Sequence, residues 1–323
     1  MVCCTVVGAK SLYFNATGSG NTVMGALALQ TNINGTDNTA VGVGSLGVYT
    51  GSGATAVGAG TLSKDVSTAG FNTAVGYRTL NANTTGSGNV GLGYYCLASA
   101  TTSALNTAVG FRALSDLSAL TPNGDSNVAL GCYAMQQWTT GTVSRNTALG
   151  YGALEGKAGA STSDNTAVGY QALSSSAGGS DNTAVGSSAL KFLNTGNSNT
   201  AVGFEALKSL SGGTSCTAVG YRALTAATGT SNTAVGTSSG ASIGTGTGNV
   251  CLGYNADVAA ARTGCIVIGA DNSSNSGISG PHLSLGSTNA AYQLGTSTGF
   301  GVVQTYLNVS VNGNPYRIAL YNF

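Results

Sequence analysis

The residue types that carry most protein chemistry are scarce here. The chain has one histidine, His282, together with ten carboxylates and seven cysteines in 323 residues. Nucleophilic catalysis needs a nucleophile, a base and an orienting group within reach of one another. A zinc site needs three or four Cys, His or carboxylate ligands. Neither set can be assembled from this sequence. Asp37, Asp65, Asp116, Asp125, Asp164 and Asp181 are scattered singly, mostly in polar segments. The cysteines, at 3, 4, 96, 132, 216, 251 and 265, are odd in number and lack Cys-x-x-Cys spacing. They read as buried or semi-buried small residues, not as a disulfide framework. Gly-x-Gly patterns such as Gly18-Ser19-Gly20 belong to a chain with 51 glycines and carry no phosphate-loop meaning. The expectation is a chain that is not an enzyme and needs no cofactor and no metal.

Charge excludes other classes. Charged residues are 7% of the chain, against roughly 25% in ordinary soluble domains. The net charge of +1 gives no electrostatic footprint for nucleic acid. No apolar run approaches the ~18 residues that span a bilayer, so no membrane insertion is expected. The N-terminus, Met1-Val2-Cys3-Cys4, has no basic segment of a secretion signal. Disorder is excluded because 42% of residues are apolar and regularly placed. Sequons at Asn15, Asn34, Asn83, Asn272 and Asn308 matter only in a glycosylating compartment.

The regular placement is a repeat, Asn-Thr-Ala-Val-Gly-x-x-Ala-Leu. Its glycine falls at Gly8, Gly25, Gly42, Gly58, Gly76, Gly93, Gly110, Gly131, Gly150, Gly169, Gly186, Gly203, Gly220, Gly236, Gly253 and Gly269. Most steps are 16 to 18 residues, with 21, 19 and 19 between Gly110 and Gly169. Three positions before the glycine stands a β-branched residue in every copy, Thr in twelve of them. Stiff β-branched side chains favour extended backbone, so this segment is a strand. The residue just before the glycine is large and apolar, and is expected to point into a core. The residue before that is small or a short β-branched one. Successive strand side chains point to opposite faces. The small column therefore needs a second, close surface, which a neighbouring chain would supply.

Other columns complete the coil. The invariant glycine marks a corner that needs positive φ or a close backbone approach. The x-x-Ala-Leu segment is expected to be a short second strand, and a glycine-rich polar loop returns the chain. Asn occupies the position before the β-branched residue in twelve copies. Stacked asparagines can bond one another in a ladder. The residue after the glycine is aromatic at Tyr77, Tyr94, Phe111, Tyr151, Tyr170, Phe204, Tyr221 and Tyr254. That column either packs against the next coil or a partner chain, or stacks on a sugar ligand. Arg78, Arg112 and Arg222 follow it, in solvent or bonding between chains, and Glu205 takes the same place with a local partner. A Thr rank could suit ice binding, but one Thr per strand with apolar neighbours argues for burial.

The fold expected is all-β: a parallel β-solenoid, or β-roll, of about 16 coils with ~17-residue repeats. At ~4.8 Å per coil the stack would run roughly 75–80 Å. Residues 1–270 form this shaft. Residues 271–323 are a linker and a small C-terminal β-hairpin, with Tyr306–Val311 and Tyr316–Tyr321 flanking Asn312-Gly313. The hairpin is either a cap on the rod or a receptor-binding tip.

Over residues 1 to about 270, Asn-Thr-Ala-Val-Gly with its x-x-Ala-Leu resembles the Asn-Ser-Val-Ala-Ile-Gly coil of YadA-type trimeric autotransporter adhesin heads. The Asn-Thr-Ala-Val-Gly-Tyr-x-Ala-Leu form is similar to repeats in tail-fibre and appendage proteins of phages and algal viruses. The resemblance implies a left-handed β-roll and a homotrimer. The coils here are longer than the adhesin's, and the adhesin's coiled-coil stalk and membrane-anchoring barrel are missing, which favours a virion part. The function expected is a structural subunit of a trimeric viral fibre or appendage that projects a host-facing tip. The alternatives are a cell-surface adhesin and a self-assembling extracellular filament. The partners expected are further copies of the chain, side by side or end to end, and other virion or fibre proteins at the N-terminus. A host-surface glycan or protein would meet the C-terminal tip. The location would be the virion or the cell surface.

Overall fold

A computed structural model describes residues 3–68, 70–116, 125–138, 141–156, 161–176 and 178–270. It also describes strands at 273–274, 283–285, 303–311 and 314–321. The chain divides into two units, Met1–Ala291 and Tyr292–Phe323. Every regular element among the described residues is β.

The first unit is a parallel β-solenoid. Each Thr-Ala-Val triplet is a three-residue strand, and the triplets stack into one 17-stranded sheet from Thr5–Val7 to Leu283–Leu285. Register is strict: Thr183 pairs with Thr200, Ala184 with Ala201 and Val185 with Val202. The ladder extends past residue 270, because Leu283–Leu285 pairs in parallel with Ile266–Ile268. The longer coils carry an additional parallel pair, Val143–Ser144 with Thr162–Ser163. Near it Trp138 is buried and donates its indole N–H to the Leu154 carbonyl at 3.0 Å.

Two expectations about the coil are corrected. First, the strand faces the other way. The small middle residue points inward: Ala40, Ala184 and Ala234 are fully buried. The large residue before the glycine points outward, and Val235 is 42% exposed. Interior width is the reason. A side chain built at Gly91, in the small column, would meet Thr79 and Leu80 of the preceding coil, with Leu80 Cδ1 at 3.6 Å. The leucine column fills the solenoid, and only a small or short β-branched residue, such as Val23, fits opposite it.

Second, x-x-Ala-Leu is not a strand. It is a tight turn in which the second residue after the glycine and the leucine both have positive φ. Arg78 lies at +51° and Leu80 at +52°. A left-handed leucine costs about 1–2 kcal/mol. Complete burial of its side chain contributes about 1.5–3 kcal/mol, so burial wins. The turn also gains bonds between coils: Tyr95 N–H donates to Tyr77 O and Leu97 N–H to Ala113 O, both at 3.0 Å. A flat strand would have sent neighbouring side chains to opposite faces.

The second unit contains an antiparallel pair, Val303–Val311 with Asn314–Tyr321, in which Val311 faces Asn314. This is the hairpin expected around positions 312–313, which themselves lie outside the described residues, as does His282.

Candidate functional site

The repeat glycines all sit at the corner that ends the strand. Their φ values run from +126° to +142°, a region closed to residues with a side chain. A Cβ on Gly203 would also strike the Gly220 carbonyl of the next coil. Both reasons for the invariance hold together, and the corner aims the next residue outward.

That next residue builds the outer surface. Tyr77, Tyr94, Phe111, Tyr151, Tyr170, Phe204, Tyr221 and Tyr254 are all exposed. Where consecutive coils carry an aromatic here the rings stack, and Ser187 and Thr237 interrupt the later part of the column. Tyr94 and Phe111 have ring centroids 5.2 Å apart with planes 4° from parallel. Tyr77–Tyr94, Tyr151–Tyr170 and Phe204–Tyr221 stack at 5.4–5.5 Å. At Cys132 the column lacks an aromatic. Tyr133, one residue on, fills the gap edge-on, 5.4 Å from Phe111 and 5.7 Å from Tyr151. Tyr133 lay outside the column on sequence. Its signal was an aromatic displaced by one position at a break.

Beside this ladder, across the glycine corner, runs the outward valine column, with Met24, Leu92, Leu149, Val202, Val219 and Val235 exposed. The β-branched column two residues earlier points to the same side and is half-buried or exposed. Thr is therefore an outer residue, against the burial expected. The result is an apolar band in which the β-branched and valine columns repeat in register along the sheet, joined by an aromatic in eight of the coils.

Charges border the band without neutralising it. Arg78 Nη1 donates to the Tyr95 hydroxyl at 2.9 Å. Arg222 Nε and Lys208 Nζ both reach the Glu205 carboxylate, at 2.8 and 2.6 Å. These bonds hold Glu205 below its usual carboxyl range, Lys208 contributing most. Glu205 thus has the local partners expected of it.

The interior is polar along one line. From Asn72 to Asn199 each asparagine Oδ1 accepts the backbone N–H of the next, as between Asn182 and Asn199 at 3.0 Å. The next asparagine's Nδ2 donates to the same oxygen. The ladder is buried throughout. Asn83 is buried as well, so this sequon cannot carry a glycan in the folded chain. The seven cysteines are all free. Cys96, Cys216, Cys251 and Cys265 are buried, and burial pushes the Cys96 and Cys251 thiols up to about 12. Cys3 is exposed, contrary to the expectation for the set. Among the described residues no group of three or more His, Cys, Asp or Glu side chains is placed to hold a metal ion. No helix among them is long and apolar enough to cross a membrane.

No protein-family model, no curated protein and no solved structure matches this chain. Its own geometry identifies it as a β-solenoid repeat protein with a continuous apolar band on its outer face.

Proposed function

We propose that the chain is a structural subunit of a homotrimeric fibre or appendage, of a virion or a cell surface. The observation that carries this reading is the band of outward valine and aromatic side chains. Large contiguous apolar patches on a protein exterior mark surfaces that meet another protein or a membrane. This one has the period of the coil stack. A surface with the same ~4.8 Å period matches it step for step, and a second copy of the chain has that period. The trimer number and the viral setting rest on the resemblance of the Asn-Thr-Ala-Val-Gly repeat. Strict parallel register gives the shaft its mechanical role, since each coil is bonded to both neighbours. In this reading the C-terminal unit caps the shaft or meets the host surface, and other fibre proteins join at the N-terminus.

The test is the mass and shape of the purified chain, by light scattering after size exclusion and by electron microscopy. An elongated trimer is expected. Val202→Lys with Val219→Lys, placed on the band, is expected to yield monomers. A wild-type chain that stays monomeric at micromolar concentration overturns the reading, and polymers that lengthen with concentration replace it with a filament.

A further inference from the structure

The coils around Tyr95 and Arg112 form a recess beside the apolar band. It has a volume of about 360 Å³, at the small end of ligand cavities. Its origin is local. Ala98 stands between Asn81 and Ser115 in the column after the leucines, and its short side chain leaves a dip between two polar neighbours. Tyr95 and Arg112, both in left-handed turns, border the dip from the second position after the glycine. The Arg112 guanidinium carbon lies 6.0 Å from the centre of the Tyr95 ring. Arg78 donates to the Tyr95 hydroxyl from the coil before, which fixes the ring.

The chemistry around this recess is mixed. Arg112 forms no ion pair among the described residues, although Asp116 lines the same space. The equivalent Arg222 is paired with Glu205. Ser115 Oγ, in the recess wall, is buried with no hydrogen-bond partner among the described residues. Buried polar atoms are nearly always satisfied, so an orphan in a cavity wall points to a group that enters it. An aromatic face packs on the C–H face of a pyranose by dispersion. An unpaired guanidinium grips a carboxylate with two parallel bonds. Amide, carboxylate and hydroxyl groups supply the donors and acceptors that sugar hydroxyls need.

We propose that the recess formed by Tyr95, Arg112, Asn81, Ala98, Ser115 and Asp116 binds an acidic saccharide, its ring beside Tyr95 and its carboxylate on Arg112. The site is built within one chain.

The test is titration of the full chain with trigalacturonate, with maltotriose as a neutral counterpart and inorganic phosphate as a charge-only probe. Isothermal calorimetry and saturation-transfer NMR would read binding. The acidic trisaccharide is expected to bind at least tenfold tighter than the other two. Arg112→Gln and Ala98→Phe, which fills the dip, are each expected to weaken it tenfold or more. Arg222→Gln, at the equivalent but ion-paired position, is expected to leave it unchanged. Circular dichroism would check that each variant folds. No binding by the wild type overturns the proposal. So does equal binding of phosphate or maltotriose, or variants at Arg112 and Ala98 that bind as the wild type does. Because the wild-type measurement stands alone, a variant that fails to fold leaves the proposal decidable.

Discussion

Two stretches of the solenoid fill the same internal corner in opposite ways. Three residues after the leucine, the early coils place Asn15, Asn32, Tyr49, Asp65 and Asn83. The later coils place Leu193, Leu210 and Ala227, and Ile243 follows Gly240 at the same spacing. The backbone turn is shared. Asn32 N–H donates to Leu29 O at 3.4 Å, and Leu193 N–H to Leu190 O at 3.2 Å. In the early coils amides close the corner: Asn32 Nδ2 reaches Asn15 Oδ1 and the Gly35 carbonyl, and Gly35 N–H returns to Asn32 Oδ1. In the later coils Leu193, Leu210 and Ile243 close it by packing, each fully buried. Glycine and leucine columns therefore set the path of the chain, and the corner only has to be filled with its polar groups mostly paired, Asn83 Oδ1 being an exception.

If that is correct, damage to the shared columns should cost the same in both stretches. Gly42→Ala and Gly203→Ala each force a side chain into positive φ against the next coil's backbone. Each is expected to cost about 3–5 kcal/mol by chemical denaturation. A large difference between them would break the comparison.

Exchange of the corners should be asymmetric. Leu210→Asn loses the packing of a buried leucine and buries an amide with no built partners, for about 3–4 kcal/mol. Asn32→Leu leaves Gly35 N–H and Asn15 Oδ1 without their bonds, for about 1–3 kcal/mol. Equal costs, or a stabilising Leu210→Asn, would show that the two corners are interchangeable.

The smallest effect, and the sharpest, is one of pH. Burial pushes the Asp65 carboxyl above its ordinary value of 3.8, against the pull of hydrogen bonds from Ser67, Asn72 and Asn83. A carboxyl raised in the folded state stays protonated there while the unfolded chain ionises. Stability therefore falls as pH climbs from the ordinary value through the raised one. Asp65→Asn should remove that slope, so the melting-temperature difference between variant and wild type should grow in the variant's favour over this window. A pH-independent difference would mean that Asp65 titrates normally.

How much of this could be read beforehand follows from which residues repeat. The glycine corner and the asparagine ladder were legible because one residue type serves one geometric need in nearly every copy. The orientation of Thr-Ala-Val was not. Hydrophobicity ranks valine as the inner residue, and only the space left by the opposing leucine reverses the order. The left-handed leucines were illegible because leucine avoids that conformation unless burial outweighs the strain. The variable corner escaped because its type changes from Asn to Leu, so only position links Asn32 to Leu210. The recess at Ala98 could not be seen either, since it comes from one small residue between larger neighbours one coil away on each side.

The asparagine ladder has an electrical consequence. From Asn72 to Asn182 every side-chain carbonyl accepts from the next asparagine, whose NH₂ donates one proton back to it and, as at Asn89 and Asn199, its other proton to a backbone carbonyl of the coil after. Aligned amides polarise one another, so this buried line is a one-way stack of dipoles, positive at its early end. At that end Asn72 Nδ2 donates to Asp65 Oδ2 at 3.1 Å. Asp65 accepts at the positive end of the stack, the place an acidic residue takes at the start of a helix. At the far end Asn199 Oδ1 meets only the backbone N–H of Cys216, at 2.9 Å, and the polarisation stops. This run of the solenoid thus has an inner polarity bounded by Ala54 and Cys216, which stand where an asparagine would continue it.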